Sequence, residues 1–304
     1  MIVYERVAAQ NDGPLSDEAL QAVYREIMSG CLALEKPLRI SYMGPPASFS
    51  NIAALKKFGS SVRYLPVNTI NDVFAEVEHG RADYGVVPIE NSIEGAINYT
   101  LDMFMESDLK ICSEISIEIS HNLLAKCGMD KIKRVYSNPS VIGQCRMWLE
   151  ANLPRVEIIE VTSTTKAAGM AVREKGAAAI GSSLAAECYG LNMLARSIED
   201  NPHNMTRFLV IGKVESRPTG KDKTSIMFAV KDKVGALHDM LVPFKKNKIN
   251  LTKIESRPSK KRAWEYRFFV DMMGHHNDKN VIKAIDQLRE VCTSLKVLGS
   301  YPLA

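Results

Sequence analysis

Strand-like apolar segments alternate with amphipathic helical segments from residue 38 onward, and this alternation constrains the fold more than any other feature. The first part of the pattern reads RISYM, a helix over 50–58, VRYLPV, a helix over 70–79, ADYGVVPI and a helix over 92–106. Strands joined through helices form βαβ units, so the order predicts an α/β fold with a mostly parallel sheet.

A second unit of the same kind follows a long segment without helical periodicity, KICSEISIEISHNLLAK over 110–126. The unit reads RVYS, a helix over 139–152, VEIIEV, a helix over 164–175, AAAIG and a helix over 182–189, after which MTRFLVIG returns to the first sheet. We therefore expect two lobes with a cleft between them: lobe 1 at about 37–112 and 192–216, and lobe 2 at about 113–191.

The two ends of the chain predict separate units. Residues 15–35 carry a helical apolar stripe with Ser16 as N-cap, and this helix must pack on the following domain or on another subunit, because one helix cannot bury its own apolar face. After the polar linker SRPTGKD, a ferredoxin-like βαββαβ order predicts a domain over 223–304, with strands at 223–231, 249–257, 263–272 and 295–299 and helices at 234–247 and 279–292.

Charge, cysteine spacing and the missing cofactor motifs exclude several classes of protein. The formal net charge is only +4, and the short basic cluster at 259–262 predicts a solvated hairpin loop rather than a nucleic-acid site. The six cysteines lack CxxC or metal spacing, no signal peptide is recognised, and no apolar run spans a bilayer, so we expect reduced thiols, a cytoplasmic location and no membrane. HExxH, Walker and GxGxxG motifs are absent, which predicts no metal or nucleotide cofactor.

The run DNPHNMTRFLVIG places the hydroxyl of Thr206 and the guanidinium of Arg207 at the mouth of an apolar strand, where α/β proteins hold small molecules. Thr206 could donate a hydrogen bond to a ligand or cap the strand. Arg207 could grip a carboxylate, or strand alternation could send it to the opposite face as a structural ion pair.

Three more segments carry polar side chains where strands end and helices begin. They are GPPASFS with Ser48 and Ser50, VVPIENSIEG with Glu90 and Asn91, and SNPSVIGQC with Ser137 and Gln144. Helix starts can bind anions through their free N–H groups, although a serine there can equally be a cap. Thr164 opens the next helix and is a weaker candidate, while His121, His203 and Cys145 lack partners at any recognised spacing, so we expect structural or peripheral roles for them.

In order and separation, these four motifs resemble those of prephenate dehydratases. GALHDML at 235–241 and IESRP at 254–258 resemble the phenylalanine-binding motifs of the ACT domain, so the resemblance covers about residues 38–304. It implies a two-lobed catalytic region over 37–216, similar to periplasmic binding proteins, and an ACT regulatory domain. It also implies prephenate as substrate, L-phenylalanine as effector, no cofactor, and a homodimer or homotetramer formed through the ACT domains.

The resemblance also assigns residues. Catalytic roles fall on Thr206, Asn91, Ser137 and Gln144. Substrate-binding roles fall on Ser48, Ser50, Glu90, Thr164, Arg207 and Phe208. The phenylalanine site is expected at Gly235, Ala236, Leu237, His238, Asn250, Glu255, Ser256, Arg257 and Pro258.

The chain departs from the family pattern at a few positions. Ala47 and Ser48 stand where the family has glycine and threonine, and SNPS replaces SHPQ at 137–140. If the family glycine has positive φ, Ala47 costs about 1 kcal/mol. The helix at 15–35 resembles the last helix of the chorismate mutase domain fused to many such enzymes, so we expect a remnant of that domain over 1–36.

Two alternatives stay open. Arogenate dehydratase differs only in an amino group on the substrate, and a non-catalytic amino acid sensor would retain the lobes and the ACT domain. Asn91, Gln144 and Thr206 argue against the sensor.

Overall fold

The computed structural model describes residues 2–230, 233–259 and 265–303, so the predicted loop over the basic residues 260–262 lies outside it. The chain begins with helices α1 (Ile2–Ala9) and α2 (Asp17–Glu35), the first of which the sequence patterns did not predict. Ser16 caps α2 as expected, by accepting a hydrogen bond from the backbone N–H of Ala19. A Glu26 carboxylate oxygen of α2 accepts hydrogen bonds from Ser60, so α2 lies against the following domain.

The first lobe is built on a mixed sheet. Its elements in chain order are β1 (Arg39–Met43), α3 (Phe49–Phe58), β2 (Arg63–Val67), α4 (Ile70–Glu78), β3 (Tyr84–Asn91), β4 (Gly95–Ala96), α5 (Asn98–Glu106) and β5 (Lys110–Glu118). The strand order is β2-β1-β3, then the returning strand 205–212, then β5, with β4 paired to β3.

The second lobe has a sheet of its own. Its elements are β6 (Asn122–Ala125), a short 3-10 helix (Met129–Lys131), β7 (Arg134–Ser137), α6 (Pro139–Gln144), α7 (Arg146–Asn152), β8 (Glu157–Glu160), α8 (Thr164–Arg173), β9 (Ala177–Gly181), α9 (Ser183–Tyr189) and β10 (Asn192–Ala195). Its strand order is β10-β6-β9-β7-β8. The alanines of β9 are fully buried, and their small side chains let α8 pack closely on this sheet.

Two expectations about the lobes need correction. The sheets are mixed rather than mostly parallel, because β11 (Met205–Gly212) runs antiparallel to both of its neighbours, and β6 runs antiparallel to β9 and β10. The lobe boundaries near 112 and 192 are also wrong: β5 stays in the first sheet to Glu118, and β10 belongs to the second sheet. The strands that connect the lobes must run back across each sheet, which places antiparallel pairs beside the βαβ units.

The C-terminal domain contains β12 (Asp222–Val230), α10 (Ala236–Lys246), β13 (Leu251–Pro258), β14 (Tyr266–Met273), α11 (Lys279–Val291) and β15 (Cys292–Pro302). Its sheet order, β13-β14-β12-β15, is that of the predicted ferredoxin-like unit, although β15 is longer than the expected 295–299.

One hydrophobic core joins this domain to the first lobe. Leu209 and Ile211 of β11 belong to the same buried cluster as Met227, Phe269 and Leu298 of the C-terminal domain. Gly299 permits this close contact, since a Cβ there would lie 2.3 Å from the backbone oxygen of Ile111. The C-terminal domain and the strand that carries Thr206 are therefore held together. Among the described residues, none of the helices combines the length and the apolar character that a membrane span requires.

Candidate active site

A cleft of about 310 Å³ lies between the two lobes, where β3 and β11 of the first lobe face the helix starts of the second. Seven of the predicted catalytic and substrate-binding residues line it: Ser48, Ser50, Asn91, Gln144, Thr164, Thr206 and Phe208. Motifs more than 150 residues apart in the sequence therefore meet in one place.

Thr206 and Asn91 form the centre of the first-lobe wall. The Thr206 Oγ1 accepts a hydrogen bond of 2.8 Å from the Asn91 Nδ2, and Thr206 is only 7% exposed. The orientation of the Asn91 amide is fixed, because its Oδ1 accepts from the backbone N–H groups of Ile93 and Glu94. Since Oγ1 already accepts from Asn91, the Thr206 hydroxyl proton is free to be donated to another acceptor.

The Gln144 side chain anchors the opposite wall and contacts both lobes. Its Nε2 donates to the Glu94 Oε1 at 3.0 Å, and Glu94 also accepts from the Ser140 hydroxyl. The Gln144 Oε1 accepts from the Asn204 Nδ2 at 3.1 Å and lies 2.9 Å from the His121 Nε2. Asn204 in turn accepts from Asn91 at 2.6 Å, so one network runs from Thr206 to Gln144 across the cleft.

Two helix N-termini, one from each lobe, also face the cleft. Ser48 caps α3 and Ser163 caps α8, each by accepting from a backbone N–H three residues on. Residues of both first turns, including Ser50 and Thr164, line the cleft. The first N–H groups of a helix lack intrahelical partners and carry partial positive charge, so this arrangement suits a ligand with two anionic groups. Ser48 and Ser163 therefore cap their helices and line the cleft at the same time.

Arg207 and Glu90 do not line the cleft, so their assignment as substrate-binding residues is wrong. Strand alternation turns Arg207 to the other face of β11, where its guanidinium donates to Glu90 at 2.6 Å, Glu114 at 3.0 Å and Asp271 at 2.7 Å. Lys253 donates to the second oxygen of Glu90 at 2.5 Å. This ionic network joins β11 and β3 to the C-terminal domain.

The pKa values in this network shift in favour of the charged forms. Burial alone would raise the pKa of Glu90, but Lys253 and Arg207 lower it below its ordinary value. Burial likewise opposes the charge on Arg207, yet Asp271 and the other acidic neighbours raise its pKa.

Of the four residues predicted to be catalytic, Ser137 is the one that the cleft does not include. It is fully buried, and its hydroxyl donates to the Ile180 carbonyl oxygen at 3.2 Å. As the last residue of β7 it connects two strands of the second sheet, so its position supports a structural rather than a catalytic role.

The cleft also contains polar residues that the sequence patterns did not assign to the site, among them Glu94, Asn204 and His121. Asn204 lies two residues before Thr206 and so on the same side of an extended chain, a signal that could have been used. Glu94 follows Asn91 closely in ENSIEG but carried no pattern of its own. His121, expected to be structural or peripheral, lies in the crossing segment after β5, and only the tertiary fold brings it to Gln144.

Ala47 adopts the left-handed conformation that the comparison with glycine predicted, with φ of 69°. Its methyl group is buried, its N–H donates to the Asn51 Oδ1, and its carbonyl oxygen accepts from Ser182 of the second lobe. Contacts across the lobes therefore hold a backbone conformation that costs about 1 kcal/mol or more for alanine.

The two predicted phenylalanine-binding segments lie at the same end of the C-terminal sheet. β12 and β13 are both antiparallel to β14, so they run in the same direction and their C-terminal residues lie at the same end of the sheet. Gly235, with φ of 82°, begins α10 just after β12, and Glu255 to Pro258 end β13. Arg257 is engaged by the catalytic region: its Nη2 donates to both carboxylate oxygens of Asp102, at 2.9 and 3.0 Å.

The fold and the cleft define the class of protein: a two-lobed α/β protein with a cleft between its lobes and with a ferredoxin-like domain fused to the first lobe. Among the described residues, no group of three or more His, Cys, Asp or Glu side chains could hold a metal ion.

Comparison with known proteins identifies the family. The prephenate dehydratase family model matches residues 40–216, and the ACT domain model matches residues 224–290. The chain is 54% identical to a bifunctional chorismate mutase/prephenate dehydratase of Aquifex aeolicus over 307 residues, which cover 99% of this chain and 85% of the relative. It is 35% identical to a prephenate dehydratase of Lactococcus lactis, covering 87% of this chain and 97% of the relative. The crystal structure of an Arthrobacter aurescens prephenate dehydratase in complex with L-Phe superimposes with a TM-score of 0.81 at 32% identity, covering 88% of this chain and 90% of that one. The chain belongs to the prephenate dehydratase family.

Proposed function

We propose that the chain converts prephenate to phenylpyruvate, water and carbon dioxide, and that the cleft-facing hydroxyl of Thr206 is the group that assists departure of the substrate hydroxyl. One observation carries this proposal: Thr206 Oγ1 accepts from Asn91, which leaves its proton to be donated into the cleft. The ring carboxylate leaves as carbon dioxide, its C–C bonding electrons enter the ring as the C–O bond breaks, and the departing hydroxyl gains a proton to become water. Formation of the aromatic ring drives the reaction.

The cleft supplies the remaining requirements from backbone dipoles and neutral groups. None of the described lining residues is a lysine or arginine, so the grips for the two substrate carboxylates are the helix N-termini of α3 and α8. Gln144 holds the lobes together through Glu94, which limits access of water to the reacting ring. This arrangement replaces the earlier expectation that Arg207 grips a carboxylate.

We propose that L-phenylalanine regulates the enzyme through the C-terminal domain. Glu90 and Arg207 are the immediate neighbours of Asn91 and Thr206, and Lys253 and Asp271 of the C-terminal domain hold them. A shift of β13 or β14 on ligand binding would therefore move the strands that carry both cleft residues. Coupling free energies of this kind are typically 1–3 kcal/mol.

We further propose that the chain assembles as a homodimer or homotetramer through its C-terminal domains. Large apolar side chains are exposed there, around the start of α10 and on β13 and β14: Val234, Leu237, Leu241, Ile254 and Tyr266. A second copy would cover them and could complete the phenylalanine site. Sedimentation analysis with and without phenylalanine tests this assembly, and a monomer at micromolar concentration under both conditions would contradict it.

The decisive experiment is incubation of the purified chain with prephenate and with arogenate, following phenylpyruvate and phenylalanine separately. The proposal expects phenylpyruvate from prephenate, and the same rate after treatment with a metal chelator. Turnover of arogenate alone would identify an arogenate dehydratase. Binding of phenylalanine without turnover of either compound would identify a sensor.

A further inference from the structure

We infer that His121 is a positioning residue of the cleft, which acts by fixing the side-chain amide of Gln144. This inference rests on the proposed function, because Gln144 takes part in the reaction only if the cleft binds prephenate. His121 is 1% exposed, and its ring packs edge to face on Phe49, with 5.7 Å between ring centroids.

The hydrogen bonds around Gln144 settle which atom of the pair donates. Glu94 is an acceptor, so the Gln144 group that faces it at 3.0 Å must be the NH₂, and the Gln144 Oε1 therefore faces His121. His121 then donates from Nε2. Desolvation by burial lowers the pKa of His121, so the ring is neutral with its proton on Nε2 and with a bare Nδ1.

The bare Nδ1 shows that packing alone does not account for a histidine here. Within the described residues, His121 Nδ1 and Ser41 Oγ are the buried side-chain polar atoms without a hydrogen-bond partner. An unpaired buried polar atom destabilises a fold, so phenylalanine would serve packing better at this position. Unlike phenylalanine, histidine can donate a hydrogen bond from Nε2 to the Gln144 Oε1. This bond and the one from the Asn204 Nδ2 together fix the orientation of the Gln144 side-chain amide.

Removing the donor should therefore affect stability and catalysis in different ways. His121→Phe keeps an aromatic ring against Phe49 and removes the unpaired nitrogen, so its Tm should equal or exceed that of the unmodified chain. Its kcat/KM for prephenate should fall about tenfold, the scale of one lost hydrogen bond in the transition state. Ser41→Ala is the matched control: it removes the other unpaired atom, which lies on β1, and should leave turnover unchanged.

A double-mutant cycle separates positioning from direct contact with the substrate. In a Gln144→Ala background, His121→Phe should cost less than a further twofold in kcat/KM, because His121 then has no amide to fix. A full tenfold loss in that background, or kcat/KM of the single variant within twofold of the unmodified chain, overturns the inference.

A second pair of variants keeps the test decisive if phenylalanine does not fit. His121→Gln and His121→Met have similar size, but only glutamine can donate to Gln144, so turnover should be about tenfold higher with glutamine. Equal turnover of the two overturns the inference. If the unmodified chain does not convert prephenate, the proposed function fails by itself. The Tm values of the same double-mutant cycle still measure the coupling between His121 and Gln144. If that coupling is absent, His121 does not position Gln144 and the inference is overturned.

Discussion

Replacing Thr206 with valine tests the proposed mechanism most directly. Valine keeps the β-branched shape that suits β11, and Thr206 is 7% exposed, so the strand and its packing should be retained. The change removes one hydrogen bond, the 2.8 Å contact from the Asn91 Nδ2. Asn91 keeps its bond to Asn204 and both backbone contacts that fix its Oδ1, so the free energy of unfolding should fall by only about 1 kcal/mol.

The effect on catalysis should be far larger. A positioned proton donor contributes about 10²–10⁴ to the rate, so kcat should fall by that factor. Release of phenylpyruvate is the assay, and thermal unfolding checks that the variant is folded. Thr206→Ser is the matched control, because it keeps the hydroxyl and should keep most of the turnover. A folded valine variant with kcat within threefold of the unmodified chain would refute the role of Thr206.

The remaining predictions concern the ionic network and the C-terminal domain. Arg207→Met should lower the free energy of unfolding at pH 7 by about 3 kcal/mol, since it removes the guanidinium that pairs with buried Asp271 and Glu114, although Glu114 keeps its ion pair with Lys223. The folded pKa of Glu90 lies below its ordinary 4.5, so the stabilisation that Glu90 contributes is complete above pH 4.5 and is lost as the pH falls further. The difference in unfolding free energy between the variant and the unmodified chain should therefore be smaller at pH 4 than at pH 7. Urea unfolding at both pH values would show this. Lys253→Met should weaken the effect of phenylalanine on turnover more than it weakens phenylalanine binding, and full retention of the effect would contradict transmission through Glu90. Gly235→Ala should reduce phenylalanine affinity in calorimetry, whereas Gly220→Ala, also at positive φ with open space around the added Cβ, should not.

The sequence alone determined the α/β class, the C-terminal ferredoxin-like unit and most of the cleft. Alternating strand and helix patterns are local, and capping residues such as Ser16 and Ser48 act on their own helices, so these features can be read without knowing the fold. Ordered motifs also singled out Asn91, Gln144 and Thr206, which line the cleft, because their polar side chains lie where strands and helices begin or end.

Only the tertiary structure decided which polar side chains face the cleft. Ser137 matched a motif, yet its hydroxyl donates a hydrogen bond to the Ile180 carbonyl oxygen inside the second sheet. Glu90 and Arg207 form an ion pair on the side of β11 that faces away from the cleft. His121 carried no local signal, and its contact with Gln144 exists only because the segment between the lobes passes beside α6. A side chain's residue type is written in the sequence, but its partners come from distant segments that only the folded chain brings together.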